Sequence, residues 1–189
     1  MIDVSANRRA VKWTRREQAG RVLWGIAALA FRLTPRVMWG TRRGMLRLFG
    51  ASVGHQVHVH PTVRITIPWN LTLGDQAAVG DRAILYALGP IVIGARTTVS
   101  QNSHLCAGTH DWRDHRMPLL KPPIVLGDDA WIAADAFIGP GVVIGDRAIV
   151  GARGVVTRDV AEGQVVAGNP ARPIGRRETA GRDETASTG

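Results

Sequence analysis

The chain has very little cysteine, few aromatic residues and no long apolar run. Its one cysteine, Cys106, leaves no disulfide to form within the chain, and nothing argues for an oxidising compartment. The longest apolar stretch, Val22 to Phe31, is ten residues long, and a membrane-spanning helix needs roughly 20. The first twenty residues are polar and Arg-rich and lack the apolar region of a signal peptide. We therefore expect a cytoplasmic protein.

The net charge of +9 belongs entirely to the N-terminal segment. Residues 1–50 hold eleven Lys or Arg and two acidic residues, whereas residues 51–189 hold thirteen of each. The basic segment lacks interleaved Tyr and Phe side chains on which bases could stack, so we expect no nucleic-acid partner. Peripheral contact of residues 1–50 with anionic lipid at the inner face of the membrane is a second interpretation of this charge.

Aliphatic residues recur every six positions through most of the chain. The series comprises Val53, Val59, Ile65; Leu73, Val79, Leu85; Ile93, Val99, Leu105; and the unbroken run Leu126, Ile132, Ile138, Ile144, Val150 and Val156. Many of these residues are followed by glycine, which leaves room where a larger side chain would clash. A period of six fits neither an amphipathic helix nor a simple strand. It is the hexapeptide repeat, which predicts a parallel β-solenoid with three repeats per stacked coil.

The series breaks three times. Two extra residues precede Leu73 and again Ile93, whereas fifteen extra residues precede Leu126. We interpret the third break as one loop extruded from the solenoid at about residues 107–122, and it contains the polar stretch THDWRDHR. Loops on a rigid scaffold commonly carry function, so this loop is the first place to look for a site.

The two ends of the chain differ from the repeat. Residues 20–50 are predicted to form two helices, separated at Pro35 and ended by Gly50. Their apolar side chains would cap the open end of the solenoid, whose strand edges otherwise invite aggregation; these are Trp24, Phe31, Trp39, Leu46 and Phe49. We thus expect a basic helical segment at 1–50 and the solenoid at 51–175. Residues 1–19 and a tail at 176–189 are expected to be disordered.

The loop and the C-terminal motifs resemble a known family. GTHDW, AWIAADAFIGPGVVIGDRAIVGARGVVTRDV and AGNPARPI are similar to the hexapeptide-repeat acyltransferases, and LRLFGASVG and SQNSHLCAGTHDW to their colanic-acid biosynthesis acetyltransferases. The resemblance covers about residues 20 to 176. It implies a mainly β fold, a left-handed parallel β-helix with an N-terminal helical cap, and acetyl-CoA as acyl donor. It also implies a homotrimer, because CoA lies in a groove between neighbouring subunits in this family.

Site residues follow from the same resemblance. It implies that His110 is the general base and that Asp111 orients its imidazole or holds the acceptor. A sugar hydroxyl is a poor nucleophile at neutral pH, and a group with a pKa of about 7 can take its proton during attack on the thioester. The positions matching CoA contacts are Trp131, Ala134, Ala152, Thr157, Arg158 and Arg172, and those offered for the acceptor are Tyr86 and Asn102.

Several alternatives stay open at this point. Transfer to a saccharide hydroxyl in exopolysaccharide or surface-glycan synthesis leads, N-acetylation of an amino sugar is the second reaction, and a catalytically silent binding or scaffold module is the third possibility. The acceptor is a free sugar, a nucleotide sugar or a lipid-linked glycan. Cys106 is interpreted as a packing residue. His58 and His60 share a strand face, and His110 and His115 share the loop, but no suitable third histidine completes a zinc set, so we expect no metal.

Overall fold

Three helices precede the solenoid. The computed structural model describes residues 4–178, so residues 1–3 and, of the predicted tail, residues 179–189 lie outside it. The predicted boundary of the disordered tail at residue 176 is wrong, because Arg176 ends a strand and the Arg177 N–H donates to the Gly163 carbonyl at 2.7 Å. The helices are α1 (Val4–Arg9), α2 (Arg15–Leu33) and α3 (Trp39–Leu48). None of the helices in this described part is long and apolar enough to cross a bilayer.

The expectation of disorder over residues 1–19 is wrong for α1 and for the start of α2. A capping box begins α2: the Thr14 hydroxyl accepts from the Glu17 backbone N–H at 3.2 Å, and the Glu17 carboxylate accepts from the Thr14 N–H at 2.7 Å. This motif satisfies backbone donors of the first turn and needs no apolar residues. Low apolar content was therefore a poor guide to structure here.

Short strands form three parallel sheets, which are the three faces of the solenoid. The first sheet contains β1 (Ser52–Val53), β4 (Leu71–Leu73), β7 (Ile91–Ile93), β12 (Ile124–Leu126) and β15 (Val143–Ile144). The second contains β2 (His58–Val59), β5 (Ala78–Val79), β8 (Thr98–Val99), β13 (Trp131–Ile132), β16 (Ile149–Val150) and β18 (Gln164–Ala167), with β19 (Arg172–Arg176) antiparallel to β18 at its edge. The third contains β3 (Arg64–Ile65), β6 (Ile84–Tyr86), β9 (His104–Cys106), β14 (Phe137–Ile138) and β17 (Val155–Val156). One strand from each sheet makes a coil, so five complete coils stack and a sixth begins.

The predicted aliphatic residues form a continuous buried column. Ile93 pairs in register with Leu126, and Leu126 with Ile144, on three successive coils. A Cβ on Gly74 would lie 2.5 Å from the backbone nitrogen of Ala95 in the next coil. Glycine after an aliphatic residue thus permits the backbones of adjacent coils to approach closely.

The three breaks in the repeat are insertions between the third sheet and the first. The first insertion is a 3₁₀ turn at Pro68–Asn70. The side-chain amide of Asn70 donates to the Ala87 and Leu88 carbonyl groups, which belong to the second insertion, at 2.9 and 3.0 Å. The third insertion lies between β9 and β12 and forms a hairpin of β10 (Thr109–His110) and β11 (Leu119–Leu120). The long loop predicted from the sequence is therefore a structured excursion.

The helices cover the N-terminal end of the solenoid. Trp24 and Phe31 of α2 and Leu46 of α3 are buried in the same core as the aliphatic column. The indole N–H of Trp24 donates to the Ile65 carbonyl at 2.7 Å, and Phe49 meets the Trp24 ring edge to face. These residues form the predicted cap.

A buried arginine fastens the cap to the first coil. Arg42 is fully buried, and its guanidinium donates to the Val59 carbonyl at 2.7 Å. Its other bonds join the turn between α2 and α3: the Thr34 hydroxyl at 2.8 Å and the Pro35 and Arg36 carbonyl groups at 2.8 and 2.6 Å. One charge of the basic segment is therefore structural.

Candidate active site

The extruded hairpin has an internally bonded tip. The Asp111 backbone N–H donates to the Pro118 carbonyl at 3.0 Å. At the tip, the Asp114 carboxylate accepts from the Arg116 guanidinium at 2.9 Å and from the Arg116 backbone N–H at 2.8 Å, and these bonds lower the pKa of Asp114 to about 2. The hairpin thus has a defined shape while projecting from the solenoid.

His110 lies on β10 with one ring nitrogen fixed. Its Nδ1 is 2.7 Å from the Met117 carbonyl oxygen. Because a carbonyl oxygen can only accept, this contact assigns the proton of the neutral ring to Nδ1 and leaves a lone pair on Nε2. The side chain is exposed. An exposed imidazole with a held tautomer can accept a proton from a bound molecule.

Asp111 was expected either to orient the His110 imidazole or to hold the acceptor, and its carboxylate is not the partner of His110 Nδ1. The Asp111 carboxylate accepts from the Arg113 backbone N–H at 3.0 Å, in a local turn, whereas the Met117 carbonyl occupies the position on His110 Nδ1. Asp111 is the first residue after β10, and its carboxylate is engaged in this turn. Holding the acceptor remains the open role for Asp111.

The N-terminal segment contacts the carbonyl group that supports His110. The side-chain amide of Asn7, in α1, donates to the Arg116 carbonyl at 3.1 Å and also to the Met117 carbonyl. The Met117 oxygen is therefore shared between Asn7 and His110. Sequence reasoning missed Asn7 because it lies 110 residues from this partner and has no motif around it.

Further contacts hold this segment against the hairpin. Lys12 Nζ donates to the Asn7 side-chain oxygen at 2.5 Å, and Lys121 Nζ donates to the Lys12 carbonyl at 3.0 Å. The same Lys121 ammonium lies 3.5 Å from the centre of the Trp13 ring, a favourable cation–π distance. A cavity of about 550 Å³ lies between this segment and the hairpin, lined by Asn7 and residues 10–12 on one side and by residues 116–121 on the other.

The residues matched to CoA contacts fall into two groups. Thr157, Arg158 and Arg172 line one concave site of about 220 Å³ beside the last coil. Ala134 and Ala152 lie instead at the corners between the second and third sheets in two successive coils. The Ala134 carbonyl accepts from the backbone N–H of Arg153, the residue after Ala152, at 2.9 Å.

Trp131 lies apart from Thr157, Arg158 and Arg172, on the strand that leads into the Ala134 corner. It is 47% exposed on β13, and its indole N–H donates to the Ser100 hydroxyl at 3.0 Å. It lines a concave surface of about 540 Å³ with Arg96 and Arg177. One chain therefore does not bring all six residues to one place.

The two acceptor candidates differ in their surroundings. Tyr86 is 37% exposed at the end of β6, in register with Cys106 on β9, directly before the extruded loop. Asn102 occupies a corner with φ of +57°, and its side-chain oxygen accepts from Arg82 Nε at 3.0 Å. Asn102 thus has a turn-forming role in the structure, and Tyr86 stands closer in the fold to the hairpin.

His104 is a further side chain on the same face that the sequence did not single out. Its ring meets Tyr86 and Phe137 edge to face, and burial lowers its pKa. Cys106, two residues on, is half-buried with its thiol 3.4 Å from the Gly108 carbonyl, and burial raises its pKa. The Cys106 thiol is therefore held in its neutral form, which suits packing rather than nucleophilic attack.

Three further histidines have local partners. His58 stacks on Trp39 at 4.5 Å, and His60 Nδ1 lies 3.2 Å from the Asp81 carboxylate. His115 lies 3.5 Å from Asp114. Within residues 4–178, no three His, Cys, Asp or Glu side chains form a group that could hold a metal ion.

Comparison with known proteins identifies relatives of this architecture. Residues 123–158 match the family described as bacterial transferase hexapeptide (six repeats). A protein named as a colanic acid biosynthesis acetyltransferase from Escherichia coli is 46% identical over 82% of this chain and 85% of its own length. Among solved structures, a maltose O-acetyltransferase from Clostridium difficile has a TM-score of 0.80 and 26% identity, over 88% of this chain and 90% of that one. An acetyltransferase from Vibrio cholerae complexed with acetyl-CoA has a TM-score of 0.82 at 24% identity, over 89% and 93%.

Proposed function

This chain belongs to the hexapeptide-repeat acetyltransferases, and from that premise we propose that it transfers acetyl from acetyl-CoA to a saccharide hydroxyl during surface-glycan synthesis, with His110 as general base. The observation that carries the proposal is the 2.7 Å contact between His110 Nδ1 and the Met117 carbonyl. It leaves Nε2 free of a proton and exposed on a projecting hairpin, where an acceptor can reach it.

The reaction needs one proton shuttle. His110 Nε2 takes the proton of the acceptor hydroxyl as that oxygen attacks the thioester carbonyl carbon. The tetrahedral intermediate collapses with cleavage of the carbon–sulfur bond, and the imidazolium returns its proton to the CoA thiolate. The products are an acetyl ester and free CoA, and no covalent acyl-enzyme forms.

Donor binding is proposed to require more than one copy of the chain. Trp131 lies on the second sheet, and Ala134 and Ala152 lie at the corners that follow it, whereas Thr157, Arg158 and Arg172 line the concave site beside the last coil. A groove between neighbouring subunits of a homotrimer would bring one group from each subunit to the same CoA. In that groove, Arg158 and Arg172 would contact phosphate oxygens, for which the guanidinium geometry is suited.

The acceptor is proposed to be a saccharide, with Tyr86 and Asp111 as contacts. The relative in Escherichia coli is named for colanic acid biosynthesis, and the Clostridium relative for O-acetylation of maltose. Tyr86 offers a hydroxyl and a ring face, which together suit a sugar. Asn102 is the weaker candidate because its side-chain oxygen already accepts from Arg82.

The test is thiol release from acetyl-CoA in the presence of maltose, a galactoside, glucosamine, nucleotide sugars and extracted glycolipids. We expect turnover with a hydroxyl acceptor and a product whose acetyl group is removed by mild alkali, as esters are. An alkali-stable amide on glucosamine would instead establish N-acetylation. Acetyl-CoA binding with no turnover on any of these acceptors would contradict the proposed transfer and support a silent scaffold.

A further inference from the structure

Helix α2 is apolar on the face that points away from the solenoid. Trp24 and Phe31 occupy its packed face. We call Val22, Ile26, Leu29 and Leu33 the α2 stripe; their exposed fractions are 65%, 65%, 64% and 83%. The spacing of four, three and four residues places all of them on one side of the helix, opposite Trp24 and Phe31.

The stripe is part of a larger exposed apolar surface. Leu23, Val37, Met38 and Leu48 are also exposed, at 59%, 80%, 41% and 82%. Among the described residues, more than half of the exposed large apolar side chains lie between residues 22 and 48. An exposed apolar surface of this size beside polar residues commonly marks an interaction site, so this concentration indicates a surface with a partner.

Cations flank the stripe at both ends. Arg15 and Arg16 are exposed in the first turn of α2, and Arg15 lies two turns before Val22 on the same face. Arg32 is exposed beside Leu33. The whole of residues 1–50 carries eleven basic and two acidic residues, while the rest of the chain is balanced.

We propose that α2 lies flat on an anionic lipid surface, with the α2 stripe among the acyl chains and the flanking arginines among the headgroups. The stripe is about 16 Å long at 1.5 Å per residue, which suits a helix in the interface plane rather than across the bilayer. An apolar strip with Arg at both ends complements anionic lipid. Packing against α2 of a second copy would bring the arginines of both helices together and incur like-charge repulsion.

The proposal does not depend on the acetyl-transfer reaction, but it bears on the substrate. A solenoid held at a membrane surface would meet lipid-linked glycans at high local concentration. The hairpin that carries His110 contacts the N-terminal segment through Asn7, so docking of that segment would place the hairpin near the same surface.

The experiment is flotation of the full chain with vesicles of phosphatidylcholine alone or mixed with phosphatidylglycerol. We expect flotation with the mixed vesicles that weakens as salt is raised, because salt screens exposed charge. The double variant Ile26→Gln/Leu33→Gln should lower the partition coefficient by at least about tenfold, the factor that burial of one Leu corresponds to. Arg15→Gln/Arg32→Gln should lower binding to the mixed vesicles only.

Ile174→Gln is the matched control, because Ile174 is 67% exposed on β19 at the opposite end of the solenoid. It should float like the wild type, and circular dichroism should report the same helix content in every variant. Equal flotation of the wild type and the stripe variant would overturn the proposal, as would no flotation with either vesicle. If the wild type binds no vesicle and the stripe variant forms a smaller oligomer than the wild type, the surface would instead be a contact between copies of the chain.

Discussion

Asn7 is predicted to position His110 through the carbonyl that they share. Asn7→Asp keeps the size of the side chain and the oxygen that accepts from Lys12, but it replaces the amide donor that serves the Arg116 and Met117 carbonyl groups. Each lost hydrogen bond is worth about 1 kcal/mol. Since about 1.4 kcal/mol is tenfold in rate, we expect kcat to fall about 5- to 30-fold.

The assay is thiol release at saturating acetyl-CoA, in the wild-type and His110→Ala backgrounds. If Asn7 acts through His110, the substitution lowers kcat with little change in KM for acetyl-CoA, and its effect disappears once His110 is removed. Arg9→Gln is the control on the same helix, because the bonds of Arg9 stay within α1, to Ser5. The same fold-loss in both backgrounds, or none in either, would refute the positioning role.

The remaining predictions concern stability. Arg42→Met should lower the free energy of unfolding by about 3–5 kcal/mol in urea titrations, because it leaves buried carbonyl groups such as that of Val59 unpaired; a loss below about 1 kcal/mol would be incompatible with this role. Burial lowers the pKa of His104, so the unfolded chain takes up a proton at higher pH than the folded one. His104 should therefore contribute stability that is complete above about pH 6.5 and declines as the pH falls below it, and His104→Gln should make the melting temperature less dependent on pH between about 5 and 7.

The coil architecture could be predicted because each coil repeats the same physical requirement. From Leu126 to Val156, every sixth residue is aliphatic and points into the core, so any interruption of the repeat is apparent in the sequence. The loop was predicted for the same reason, since fifteen extra residues cannot fit inside a coil. The structure of the loop was not predicted, because the sequence does not show that Thr109–His110 and Leu119–Leu120 pair as a hairpin.

The support of the candidate base could not be predicted. A backbone carbonyl such as that of Met117 carries no signature in the sequence, whereas Asp111, the conspicuous acidic neighbour of His110, bonds within its own turn. Arg42 was hidden in the same way. It was counted among the charges of a basic surface segment, and only packing against the first coil makes it fully buried.

His110 carries the proposed mechanism, and one comparison of variants tests its role directly. His110→Ala and His115→Ala remove two histidines of the same hairpin, and His115 lies beside Asp114 at the tip. With the acceptor that turns over fastest and saturating acetyl-CoA, we predict that His110→Ala lowers kcat about 10²- to 10⁴-fold, the usual contribution of a general base. His115→Ala should retain the wild-type rate. Wild-type kcat in His110→Ala would contradict the proposed mechanism and place the base elsewhere.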